Sequence, residues 1–265
     1  MIDSNTLVQY DAPSKLLHDK IILVTGAGDG IGRAAALAFA QAGATVVLLG
    51  RTLSKLEAVY DEIEANNGPK PAIIPINFEG AAEQDFIEVG NVLAEEFGHI
   101  DGLLHNASEL GPRTPIANYG LEQWQKLLQV NVTAPFILTK TLLPLLLSAP
   151  SASVVFTGAD VGLKGRAYWG AYAVSKAASE NLMETLADEF DGKNTIRINS
   201  INPGPTRTKM RATAYPAEDP GKIASAESLM NRYLYLMGKD SEGISGQQFN
   251  AQPTVEISAS NQLNL

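Results

Sequence analysis

The chain predicts an α/β fold: a single doubly wound Rossmann domain, with a parallel sheet of about seven strands and helices on both faces. Three observations predict it. Short apolar, β-branched runs alternate with longer helical patterns from end to end, with no linker and no internal repeat. A glycine-rich turn joins the first of these runs to the first helical pattern. The other unusual sequences fall after later strands, where open parallel sheets bind their ligands.

The elements follow in order. Ile21–Thr25 reads as a buried strand and Ile31–Ala42 as an alanine-rich helix ended by Gly43. Thr45–Leu49 is the second strand, followed by a helix over Ser54–Asn66 with Ser54 as its N-cap. Ala72–Ile76 is the third strand. Ala82–Phe97 is an amphipathic helix, with Phe86, Val89, Leu93 and Phe97 along one face. Ile100–His105 is the fourth strand, and Leu121–Leu147 a long helical region interrupted by Pro135 and Pro144. Ser153–Thr157, a helix over Tyr172–Phe190 and a strand over Ile196–Ile201 come next. The Pro-, Gly- and Thr-rich stretch Asn202–Pro220 is expected to be a long loop. Ala226–Met237 is a helix and Gln248–Ala251 a short last strand. Residues 1–19 extend the domain at its start, and the polar tail after Gln252 is expected to lie over the surface.

Composition narrows the chemistry. With 45% apolar and 18% charged residues, the 265-residue chain has an ordinary globular mix. A net charge of −9 argues against general nucleic-acid binding. The absence of cysteine rules out disulfides, thiolate catalysis and cysteine-ligated metal. His18, His99 and His105 share no metal-ligand spacing, so no metal site is expected. No charged start precedes an apolar run, and the apolar runs near Leu142–Leu147 are short and proline-broken. A cytoplasmic protein without membrane contact is therefore expected. The glycosylation-type triplets at Asn106 and Asn131 are read as coincidence.

Chemistry-bearing residues sit at the turns. In Thr25-Gly-Ala-Gly-Asp-Gly-Ile-Gly32, glycines at Gly26, Gly30 and Gly32 let the backbone turn sharply and approach a pyrophosphate, with Gly28 and Ile31 in the same turn. At the end of the second strand, where NAD-binding units commonly carry an acidic residue, Gly50-Arg51 offers a guanidinium suited to a 2′-phosphate. NADP is favoured over NAD, although Asp29 adds no second positive charge. Tyr172 and Lys176 are one turn apart on one helical face, and the ammonium is expected to lower the phenol's pKa toward the working range. Tyr168 and Trp169 are assigned to a substrate wall, and Met210–Ala226, with Tyr215 and Pro216, to its cover.

The glycine turn, His105-Asn-Ala107, Asn131, Tyr172-Ala-Val-Ser-Lys176 and Asn202-Pro-Gly204 occur in that order. Together they resemble the classical short-chain dehydrogenase/reductase family over roughly residues 20–251, most closely an uncharacterised bacterial branch of it. The resemblance implies that Gly26, Gly30 and Gly32 hold the pyrophosphate and that Asn77 sits near the adenine. It implies that Asn106 and Ala107 line the cofactor cleft, and that Pro203, Gly204, Thr206 and Thr208 contact the nicotinamide end. Lys176 would reach the nicotinamide ribose, and Asn131 would hold a water linked to Lys176. A homodimer or homotetramer through the helices at Leu121–Leu147 and Tyr172–Phe190 is expected by resemblance. Asn77 and Ser108 depart from the family's more usual Asp and Gly.

A larger departure lies thirteen residues before Tyr172, where the family supplies a carbonyl-polarising serine and this chain has Ala159. Losing one such donor typically costs about 10²–10³ in rate. Thr157 is expected to lie too far back to replace it, and Asp160, as an anion, to repel oxyanion charge. The reading is an NADP(H)-preferring oxidoreductase that reduces a small-molecule carbonyl or oxidises a secondary alcohol, with Tyr172 as acid/base and Lys176 assisting. The alternative is an impaired NADP(H)-binding protein with a sensing or scaffolding role.

Overall fold

In the computed structural model, which describes residues 7–192 and 195–253, the apolar runs become strands that pair side by side. They are β1 (Ile21–Thr25), β2 (Thr45–Gly50), β3 (Ala72–Pro75), β4 (Gly102–His105), β5 (Ala152–Thr157), β6 (Ile196–Asn202) and, last in the chain, β9 (Gln248–Asn250). All pair in parallel in the order β3-β2-β1-β4-β5-β6-β9. Central strands of such a sheet have helices on both faces, which is why β4 and β5 are apolar without alternation and buried throughout. A separate parallel pair, β7 (Thr206–Arg207) and β8 (Ala224–Ser225), lies beyond the carboxyl end of β6.

Two cores flank the sheet. On one face α1 (Gly30–Gln41), α2 (Leu53–Ala65) and α9 (Met230–Met237) bury Phe39, Leu56, Tyr233 and Leu236 against Val24, Leu48 and Val155. On the other, α3 (Glu83–Phe97), α5 (Ala134–Ser148) and α7 (Gly170–Glu189) bury Phe86, Leu138 and Met183 against Leu23, Leu103 and Val154. The strand parity places alternate residues of β5 in opposite cores.

Several boundaries differ from the sequence expectations. The cap of α2 is Thr52, not Ser54, and its side chain makes no capping bond. Pro135 and Pro144 do not interrupt the long helix. α4 (Leu121–Leu128) passes through a π-turn at Gln129–Thr133 directly into α5, giving 28 continuous helical residues. Pro135 falls in the first turn after the π-turn, where its missing N–H costs least. That rod is apolar and long enough to cross a membrane, so proline is no barrier to it, but half of its apolar 18-residue stretch is buried inside the structure. The expected loop after Asn202 instead holds β7, the short helix α8 (Lys209–Ala214) and a 3₁₀ turn at Pro220–Lys222. A 3₁₀ turn (Glu227–Leu229) opens the helix expected from Ala226. The tail expected to lie over the surface falls, from residue 254, outside the described residues.

Candidate functional site

The carboxyl ends of the parallel strands open onto one cavity of about 510 Å³, within the range of small-molecule sites. At one end is the turn between β1 and α1. Gly26 and Gly30 have φ of +68° and +53°, which side chains resist. A Cβ at Gly32 would stand 2.2 Å from the Gly26 carbonyl oxygen, so the helix can start this close to the strand only with glycine there. Thr25 ties the turn to the next strand end: its hydroxyl donates to the Leu104 carbonyl at 3.2 Å and accepts the Asn106 and Ala107 N–H groups at 2.9 and 3.0 Å.

Charge is arranged around this turn. Asp29 caps α1 by accepting the Gly30 N–H, and its other oxygen pairs with Lys55 of α2 at 2.6 Å and Lys209 of α8 at 3.1 Å. The Lys55 bond, aided by Lys209, holds its carboxyl down at about 2. Arg51 pairs with Glu109 at 2.5 Å and is 61% exposed, so its guanidinium is accessible at the cavity rim. Lys55, Lys209 and Glu109 were not singled out in the sequence. Each acts through a partner distant in the chain, which spacing does not reveal.

The other end holds Tyr172 and Lys176 on α7. Short helix α6 (Asp160–Leu163) packs on α7 through Gly162, whose Cβ would lie 2.8 Å from Lys176 Cβ. Lys176 Nζ donates to the Thr157 carbonyl at 2.8 Å and lies 5.7 Å from the Tyr172 ring centre. Burial pulls its ammonium down from 10.5 to about 8, against the opposing attraction of Glu180. Tyr172 corrects the sequence expectation. It is buried, and burial pushes its phenol up to about 12 rather than toward neutrality.

Asn131 stands in the π-turn with its side chain engaged. Oδ1 accepts the Glu109 N–H at 2.8 Å, while Nδ2 donates to the Glu109 carbonyl at 2.9 Å and the Ser175 hydroxyl at 3.0 Å. Its own carbonyl accepts from Ser179 Oγ at 3.1 Å. Asn131 therefore fixes the loop after β4 rather than lining the cavity. Gly32 also lies behind the wall. The other predicted residues line it: Gly26, Gly28, Gly30, Ile31, Arg51, Asn77, Asn106, Ala107, Tyr172, Lys176, Pro203, Gly204, Thr206 and Thr208.

Beyond Tyr172 the cavity is walled by Trp169, Met210, Ala214 and Tyr215. Arg113 stacks 4.5 Å from the Trp169 ring and 5.0 Å from that of Tyr215, and bonds the Ala214 carbonyl. Tyr168 is not part of this wall. Its φ of +70° turns it outward, 55% exposed.

Ala159 itself brings no hydroxyl to the cavity wall. Thr157 lies beside the buried Tyr233 on the α9 face. Asp160 Oδ1 accepts from Asn202 Nδ2 at 2.5 Å, which ties the ends of β5 and β6 together.

Comparison with known proteins agrees with this geometry. The short chain dehydrogenase family model matches residues 20–219. "Uncharacterized oxidoreductase YciK" of Escherichia coli K12 is 46% identical over 246 residues, covering 93% of this chain and 97% of its own. A short chain dehydrogenase structure from Pseudomonas syringae is 54% identical with a TM-score of 0.91, covering 92% of this chain and 99% of that one. One from Shigella flexneri 2a, complexed with NADP, is 46% identical with a TM-score of 0.89, covering 91% and 100%.

Proposed function

The chain belongs to the short chain dehydrogenase family, NAD(P)-linked oxidoreductases, and on that footing we propose that it is an NADP(H)-preferring reductase of a small-molecule carbonyl. One observation carries the reading: a single cavity runs from the glycine turn and Arg51 to Tyr172 and Lys176. The turn fits a dinucleotide, because Gly26 and Gly30 line the cavity as bare backbone at positive φ and Gly32 lets α1 start close against the turn. When bound, the nicotinamide supplies or accepts the hydride.

The chain's own residues do the rest. Gly26, Gly28, Gly30 and Ile31 take the pyrophosphate at the start of α1, backed by Gly32. Arg51 exchanges Glu109 for the 2′-phosphate, a bidentate partner of the kind arginine favours. Two related structures, from Shigella flexneri and E. coli CFT073, were crystallised with NADP and NADPH, which supports this cofactor. Asn77 borders the adenine side, and Asn106, Ala107, Pro203, Gly204, Thr206 and Thr208 the nicotinamide side.

Tyr172 gives its proton to the carbonyl oxygen. Held near 12, it stays a neutral donor at physiological pH, which suits reduction better than alcohol oxidation. Lys176 supports it with positive charge, and Asn131 positions the adjoining loop. Trp169, Met210, Ala214 and Tyr215 enclose the substrate. Assembly into a homodimer or homotetramer through α4–α5 and α7 accounts for the exposed Phe136 and Val174 on those helices.

Ala159 favours a second reading, an NADP(H) binder with weak or lost turnover. A broad carbonyl panel with NADPH, run on the native protein, Ala159→Ser and Tyr172→Phe, separates the two. Reduction that Tyr172→Phe abolishes supports the reductase. Cofactor binding without turnover in either of the other two proteins refutes it.

A further inference from the structure

A buried carboxylate stands behind the reacting pair. Tyr172, Lys176 and Glu180 follow one another at four-residue spacing, so they share one face of α7. Glu180 is 7% exposed and accepts from the Ser200 hydroxyl of β6 at 2.5 Å. Its Oε1 also presses against the end of β5, where a Cβ at Gly158 would lie only 2.3 Å from it. Lys176 holds the neighbouring carbonyl, that of Thr157. The ammonium thus bonds Thr157, and the carboxylate packs against Gly158, the next residue along.

We infer that Glu180 is a positioning residue for the proposed reduction: its carboxylate, admitted by Gly158, keeps the buried Lys176 ammonium charged and set beside Tyr172. This rests on the reductase reading.

The surrounding groups leave that task to Glu180. From β4, His105 faces Lys176, but burial, and secondarily Lys176 itself, pull its imidazole down to about 3, so it brings no charge. From α7, Tyr172 is a neutral phenol. From β5 comes only the Thr157 carbonyl. Glu180 is itself faced by Lys176, by Ser200 and by Glu184, which accepts from Gln248 at the surface. Burial raises the Glu180 carboxyl, while Ser200 and Lys176 hold it back toward its ionised form. The same contact accounts for Gly158, since a side chain there would displace the carboxylate. The end of β5 is thereby committed to carrying the lysine's counter-charge.

Lysine-selective ¹³C labelling, with the Lys176 signal assigned by its loss in Lys176→Met, reads the lysine directly. In Glu180→Gln, Lys176 should lose its proton at a pH about one unit below that of the native protein. Gly158→Ala, which displaces the carboxylate without removing it, should move the titration in the same direction and decides alone if Glu180→Gln does not fold. The alkaline limb of kcat for carbonyl reduction should follow, with KM unchanged. A Lys176 titration that stays in place in both variants overturns the inference, as does one that moves without the kcat limb. If no carbonyl is reduced by the native protein, the reductase reading fails, while the NMR titration still decides whether Glu180 holds the charge on Lys176.

Discussion

Replacing Lys176 with methionine separates what this buried ammonium costs the fold from what it does for the chemistry. Its pKa falls from 10.5 to about 8 on folding. A fall of about 2.5 corresponds to about 3 kcal/mol at about 1.4 kcal/mol per pH unit. The folded protein holds the proton less tightly than the unfolded chain. At pH 7 both states are protonated, and the full penalty weighs on the native state. Between about pH 8 and 10.5 the folded amine is neutral while the unfolded one still carries its proton, so stability recovers as pH rises. Methionine fills similar volume but leaves the Thr157 carbonyl without its donor, a loss of about 1–2 kcal/mol. Lys176→Met should therefore be more stable than the native protein by about 1–2 kcal/mol at pH 7, and less stable by a similar amount at about pH 10.5. Urea denaturation of both proteins across this range gives the difference directly, and titrating groups away from Lys176 and its coupled neighbour Glu180 cancel in it. Parallel stability curves would refute the reasoning, because Lys176 would then titrate alike folded and unfolded.

Arg51→Ala should weaken NADPH binding by about tenfold or more and leave NADH nearly unchanged, read by calorimetry with each cofactor; equal losses would sink the phosphate assignment. Ala159→Ser should raise kcat by on the order of tenfold or more, since it restores a donor beside Tyr172. Steady-state kinetics on any carbonyl the native protein reduces measures it. Gly32→Ala should abolish cofactor binding through a clash of its Cβ with the Gly26 carbonyl, seen as loss of the thermal shift with NADPH.

Periodicity made the fold legible because each central strand is buried on both faces and each helix on one. The seven-stranded parallel sheet needed little more. The long helix was misjudged for a local reason. A π-turn precedes Pro135 and leaves its missing N–H in the first turn of α5, while Pro144 stands inside α5 without ending it. At the site, residues in ordered turns were legible: Gly26, Gly28, Gly30, Arg51, Tyr172 and Lys176 line one cavity, with Gly32 behind its wall. Their electrostatics were not. Spacing puts Lys176 near Tyr172 but carries no information on burial, which sets the phenol near 12. The side chain of Asn131 is taken up by the Glu109 backbone and Ser175, partners that its place in the sequence does not reveal. Glu180 had a usable signal, its four-residue spacing from Lys176, but its meaning depends on Gly158 and Ser200 closing around it.

The π-turn at Gln129–Thr133 bears on which changes of chain length this protein can tolerate. An α-helix advances about 100° per residue, and a π-turn accommodates one residue more than the regular spiral would hold. Deleting one residue between Gln129 and Thr133 would let the rod close into a uniform α-helix with its two halves nearly in their present phase, but would remove the widened turn that carries Asn131. Leu138, Leu142 and Leu146 sit in the sheet-facing core, while Asn131 holds Glu109 and Ser175. A one-residue deletion in the π-turn should therefore spare the core packing of the leucines and be felt at the bonds of Asn131, whereas a deletion further along the rod would turn one half by about 100°.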